Sequence, residues 1–132
     1  IMKSLAILLI ATVPLTALGR IGETREQCDK RYGKLIIPPL ISDGVQYLNY
    51  RVHGFAIDLH IIGSTCQKLK YIKEDEGMLA KEEVEALLSE NGKDWQQIAE
   101  TEWENDQCTA KVWGKYLVIV SKAHDKQTKT QR

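Results

Sequence analysis

Apolar and polar residues alternate through the middle of the chain. Phe55, Ile57, Leu59 and Ile61 occupy one set of alternate positions, and Ala56, Asp58, His60 and Ile62 the other. A period of two predicts a strand with one face turned to a core. Tyr47, Leu48, Tyr50 and Val52 mark a strand before it, with His53-Gly54 as the turn. Gly63-Ser64 turns again, and Leu69 and Tyr71, with lysines around them, mark a half-exposed strand over 65–73. Residues 45–73 thus read as an antiparallel meander.

The period changes on either side. Thr24 is a good helix N-cap, and Gln27 three residues later completes a capping box. Cys28 and Tyr32 lie four apart on one face, Lys30 and Arg31 complement the last turn, and Gly33 suits the stop. Leu35, Ile36 and Ile37 read as a short edge strand, or an extended segment, halted by Pro38-Pro39. Val84, Leu87 and Leu88 form an apolar stripe on a second helix over 81–90, ended by Asn91-Gly92. Trp95 and Ile98 fit a short helix or a strand equally. Residues 107–113 and 116–122 read as strands joined at Gly114-Lys115. The unbroken apolar run from Tyr116 to Val120 predicts a central strand covered on both faces. No internal repeat is visible. The order predicts an α+β fold of two layers, an antiparallel β-meander and a C-terminal hairpin packed against two helices.

The N-terminal pattern has a different meaning. Lys3 is followed by a mostly apolar run from Leu5 to Leu18, and Ala17-Leu18-Gly19 offers small residues at the positions a signal peptidase reads. The run is too short to span a bilayer, which takes roughly 20 residues. Residues 1–19 are therefore read as a cleaved signal peptide, residues 20–124 as a single domain, and residues 125–132 as a polar flexible tail. No cysteine follows the apolar run directly, which argues against a lipid anchor. The expected location is secreted or periplasmic.

Charge narrows the function. Eighteen basic residues balance eighteen acidic ones, which argues against a nucleic-acid binder or a polybasic membrane peptide. Three cysteines, Cys28, Cys66 and Cys108, allow three single pairings, and one thiol is always left over. An oxidising compartment would favour one disulfide; buried thiols packed as small apolar groups are the alternative. There is no CxxC and no zinc spacing, so neither a metal nor a cofactor is expected.

The stretch from Gly22 to Gly33, Gly-Glu-Thr-Arg-Glu-Gln-Cys-Asp-Lys-Arg-Tyr-Gly, resembles small exported bacterial proteins of unknown function with the pattern G-E-T-x-x-x-C-x-x-R-Y-G. Gly54-Phe55-Ala56-Ile57, Cys66 to Lys73, Glu83 to Asn91, and Trp95 resemble their later pieces. The shared first and second cysteines imply the pairing Cys28–Cys66. More distantly, the opening helix is similar to that of the small lipoprotein of the outer-membrane β-barrel assembly machinery and to the β-lactamase-inhibitor-like fold. The likeness implies a module that binds other proteins. The lipoprotein's anchoring cysteine has no counterpart here.

Candidate chemistry is sparse. Asp58 and His60, two apart on one strand, share a face, where a carboxylate could orient an imidazole base. A solvated polar face explains the pair as well. No nucleophile elbow, phosphate loop or HExxH is present. Trp113 and Tyr116, flanking the last turn, are the expected exposed aromatic pair, with Tyr50 and Arg51 of the first hairpin next. The resulting expectation is an exported, non-enzymatic module that binds a protein or cell-envelope partner. Its alternatives are an inhibitor of a secreted or periplasmic enzyme, and a small enzyme using Asp58, His60 or a free cysteine.

Overall fold

Local capping sets the first helix, α1 (Arg25–Tyr32). The Thr24 hydroxyl accepts the Gln27 N–H at 3.3 Å, and the Gln27 side chain accepts the Thr24 N–H at 2.9 Å, so the capping box closes. Gly33 stops the helix with φ 87°, donating its N–H to the Asp29 carbonyl at 2.8 Å. These features and all that follow come from a computed structural model, which describes residues 21–75 and 77–124. The expected signal peptide and tail lie outside the described residues.

α1 buries only Cys28 and Tyr32, too little apolar surface to dock by itself. Polar contacts complete the attachment. Arg31 forks onto the Glu23 carboxylate, with Nε to Oε1 at 2.9 Å, and both side chains are largely buried. The Tyr50 hydroxyl donates to Asp29 at 2.5 Å. Gly22 N–H donates to the Cys66 carbonyl and Cys66 N–H to the Glu23 carbonyl, both at 2.7 Å. The Gly22–Gly33 stretch is thus a docking device that fixes a polar helix on a sheet.

The second helix, α2 (Lys81–Ser89), buries Val84, Leu87 and Leu88 as its stripe requires. Its cap is half-made. The Glu83 carboxylate accepts the Ala80 N–H at 2.8 Å and the Lys73 ammonium at 2.9 Å, while Ala80 has no side chain to return the bond. Past its end, Asn91 donates to the Tyr71 hydroxyl at 2.9 Å and to the Leu87 carbonyl at 3.0 Å.

Eight antiparallel strands form one sheet: β1 (Leu40–Ser42), β2 (Val45–Val52), β3 (Phe55–Ile62), β4 (Thr65–Lys73), β5 (Gln96–Ala99), β6 (Glu102–Glu104), β7 (Cys108–Trp113) and β8 (Tyr116–Ser121). The order is β1-β2-β3-β4-β8-β7-β6-β5. This order is symmetric about the β4–β8 pair. Each half is a helix followed by a four-stranded meander whose last strand is central, an architectural repeat without a visible sequence repeat. The inward set (Leu48, Tyr50, Ile57, Leu59, Ile61, Leu69, Tyr71, Cys108, Ala110, Leu117 and Ile119) forms the core with the apolar residues of α1 and α2. Gln67 is an extra residue in β4, because His60 faces Lys68 while Ile61 faces Cys66. The bulge lets Cys66 and Leu69, an odd number of positions apart, both point inward.

Three expectations change. Leu35, Ile36 and Ile37 form no strand; the edge strand is Leu40–Ser42. Ile36 N–H makes one bond to the Asn49 carbonyl, and Pro38-Pro39, without N–H groups, delay pairing until they are passed. Residues 96–104 add a hairpin, so the C-terminal hairpin becomes a four-stranded meander. Finally, β8 is central but not covered on both faces: Leu117 and Ile119 are buried, Val118 and Val120 half-buried, and Tyr116 exposed. The apolar residues of α1 and α2 join the row that contains Leu117 and Ile119.

Candidate functional site

The face opposite the core is built by strand register. Across β2, β3, β4, β8 and β7 one row reads Tyr47, His60, Lys68, Val120, Thr109. The next reads Asn49, Asp58, Lys70, Val118, Lys111, and the third Arg51, Ala56, Ile72, Tyr116, Trp113. Alternation alone assigns these side chains to one side. Only the register makes them neighbours.

Between these rows lies a depression of about 420 Å³ lined by Asp58, His60, Lys68, Lys70, Trp113, Tyr116 and Val118. Asp58 and His60 therefore share a site, as their spacing predicts. Asn49 donates to Asp58. His60 packs edge-on against Tyr47, ring centroids 4.6 Å apart. Burial, and next the Lys68 ammonium, hold the His60 imidazole below its ordinary pKa, with Asp58 opposing. It is thus a neutral donor and acceptor near pH 7.

The tip of the β7–β8 hairpin supplies the aromatic end. Gly114 takes φ 56°, which lets Trp113 and Tyr116 face each other as a cross-strand pair. They are 56% and 39% exposed. Lys70 lies 5.2 Å from the Tyr116 ring centroid, and Lys111 lies 5.9 Å from that of Trp113. These contacts hold cations and rings together at the surface.

Charges around the depression are paired off at its margins. Lys111 meets Glu102 at 3.1 Å, Lys122 meets Glu104 at 3.5 Å, and Arg51 meets Glu74 at 2.6 Å. Lys68 and Lys70, in the middle, form no ion pair within 4 Å among the described residues. Sequence reasoning missed these two lysines as site residues. Their signal was their position between Leu69 and Tyr71, which puts them on the outward face.

Two expected assignments are overturned. Tyr50 is no surface residue: it is 0% exposed, packs tilted against Tyr32 with ring centroids 5.1 Å apart and donates its hydroxyl to Asp29. It falls on the inward phase of β2, while Arg51 next to it is exposed and ion-paired. No disulfide joins Cys28 and Cys66 in the structure; all three cysteines are buried thiols. They fill inward positions as small apolar groups, and the Cys66 thiol donates to the Lys68 carbonyl at 3.4 Å. Burial pushes the Cys66 thiol far up and the Cys108 thiol up to about 11, the opposite of an activated nucleophile.

A smaller apolar cleft of about 230 Å³ lies on the core side, among Tyr32, Phe55, Ile57, Tyr71 and Leu87. Its walls continue the core, and it collects few polar groups. Trp95 and Trp103 also belong to the core side; Trp95 donates its indole N–H to the Leu88 carbonyl at 2.7 Å.

Chemically, the depression can accept a proton at His60, attract an anion at Lys68 and Lys70, and stack a flat or apolar group on Trp113 and Tyr116. Its lining holds no hydroxyl or thiol nucleophile of serine, threonine or cysteine. No group of three or more His, Cys, Asp and Glu side chains among the described residues could hold a metal. No helix among them is long and apolar enough to cross a membrane. Fold and site together define an antiparallel-sheet α+β domain with an outward aromatic and basic face. No family model, curated protein or solved structure matches the chain.

Proposed function

We propose that the chain is an exported, two-layer α+β binding module that engages a protein partner with the outward face of its sheet. The observation that carries this reading is the Trp113–Tyr116 pair, two large aromatics exposed side by side on a hairpin tip. Aromatic residues displayed this way are the usual anchors of protein interfaces. They adjoin a depression whose positive groups, Lys68 and Lys70, form no ion pair among the described residues, so the surface offers both anchorage and orientation. The leader-like residues 1–19 support export. The distant resemblance of the opening helix to protein-binding modules agrees with this reading. Inhibition of an exported enzyme is a narrower form of the same reading.

The test is site-specific photocrosslinking in the producing cell. A photoreactive phenylalanine replaces Trp113 in one variant and Glu82, exposed on α2, in another. The expected result is a discrete protein adduct from position 113 and none from position 82. Adducts of equal yield from both, or none from 113, would sink the reading.

A further inference from the structure

Lys68 and Lys70 present an unusual balance. Every other described lysine or arginine on the outward rows is matched by a carboxylate: Lys111 by Glu102, Lys122 by Glu104, Arg51 by Glu74. These two stand on one face of β4, roughly 7 Å apart by strand rise, without an ion pair among the described residues. Asp58 sits directly across from Lys70 in register; one of its carboxylate oxygens accepts from Asn49, and it forms no ion pair with Lys70 within 4 Å. The centre of the face therefore carries two positive charges against one negative, beside a neutral imidazole. The walls next to it are Tyr116, Trp113 and Val118.

We infer that this depression receives an acidic side chain of the partner protein, its carboxylate set between the Lys68 and Lys70 ammonium groups and a neighbouring apolar residue laid on Trp113 and Tyr116. The inference rests on the binding-face reading above and gives that partner its chemistry. A single carboxylate fits the local balance of about one net positive charge. A doubly charged phosphate would bring excess negative charge toward Asp58. A neighbouring apolar residue of the partner would cover the Trp113 and Tyr116 rings, which an anion alone would leave in water.

His60 reports occupancy. The groups that face it are Tyr47 from β2, Asp58 on its own strand, Lys68 and Lys70 from β4, and His124 after β8. A carboxylate between the lysines adds a negative charge close to the ring, so the His60 midpoint must rise on binding.

The probes are two capped dipeptides, acetyl-Phe-Glu-amide and acetyl-Phe-Gln-amide, and inorganic phosphate, each titrated at millimolar concentration into the labelled domain. Binding is read from the Trp113 indole N–H and the His60 ring signals. The expected result is that the Glu peptide binds about fivefold to tenfold more tightly than the Gln peptide, as two exposed ion pairs permit. It should also raise the His60 midpoint, which the Gln peptide should not. Lys68→Gln with Lys70→Gln should erase the preference while leaving the Trp113 shift. The peptide comparison needs no variant, so a poorly folded one does not spoil it. Equal affinity for the two peptides, or no shift with either, overturns the acidic-partner inference. So does phosphate binding more tightly than the Glu peptide. Equal peptide affinity with a position-113 adduct leaves the binding face standing; loss of the adduct removes both.

Discussion

Replacing Tyr50 by Phe isolates the polar contact that docks α1. The ring stays, so the 5.1 Å contact with Tyr32 is kept and no cavity opens. Only the hydroxyl is lost, together with its 2.5 Å bond to Asp29. A hydrogen bond to a charged acceptor contributes about 1.5–3 kcal/mol. Asp29 is 43% exposed at its side chain and lies 3.7 Å from Arg25, so water can replace the lost donor. The cost therefore falls near the low end, about 1.5 kcal/mol. For a domain of this size that corresponds to a fall of roughly 6–12 °C in Tm. Urea unfolding should show a lower midpoint with the same m-value. A double-mutant cycle with Asp29→Asn should return a coupling of about 1 kcal/mol. Tyr116→Phe, at an exposed position, is the control and should change stability by less than about 0.5 kcal/mol. A Tyr50→Phe variant within about 0.3 kcal/mol of the parent would refute the docking argument, since that is the scatter of unrelated sites. The phenol gives a second signature. Burial first, and then the bond to Asp29, push its pKa well above the ordinary value. The folded state keeps a proton that the unfolded chain loses above about pH 10, so stability should fall with pH there. Tyr50→Phe should flatten that fall.

Other predictions follow from single contacts. Ala80→Ser should complete the α2 capping box, because Ala80 already has extended N-cap geometry (φ −76°, ψ 156°); the expected gain is about 0.5–1 kcal/mol, read by thermal unfolding. The exported protein should lack residues 1–19 by intact mass and should carry three thiols that iodoacetamide modifies only after denaturation; fast native labelling would contradict their burial. With the Cys108 thiol raised to about 11, the thiols should also lower stability as pH rises above about 9, where only the unfolded chain ionises. His60 should titrate below about 6.5 by NMR. Because its folded pKa is depressed, its stability contribution is present above that value and is lost as pH falls. Lys68→Gln should move the midpoint upward, since that ammonium follows burial as the second cause of the shift.

The local structure of this protein was legible from short-range rules. Thr24 with Gln27 and Gly33 bounded α1. The alternation from Phe55 to Ile61 placed β3, and His53-Gly54 and Gly114-Lys115 placed the hairpin turns. Asp58 and His60 were put on one face because strand side chains repeat every two residues. The exposed Trp113–Tyr116 pair followed from its position at the last turn. What the sequence could not supply was phase and register. Tyr50 and Arg51 are adjacent and equally suited to a surface, and only packing against Tyr32 and Asp29 turns the first inward. The bulge at Gln67 decides that Cys66 and Leu69 share the core. Pairing of β4 with β8, separated by α2 and three strands, brings Lys70 and Val118 together; no local pattern encodes a contact across that loop. The depression on the outward face is a product of this long-range pairing. Sequence alone determined both helices and most strands, because those depend on neighbours a few positions away, but not the edge strand Leu40–Ser42 or the hairpin over 96–104, which form only by pairing with the rest of the sheet. Tertiary structure decided which side chains meet, because that depends on how the meanders close against one another.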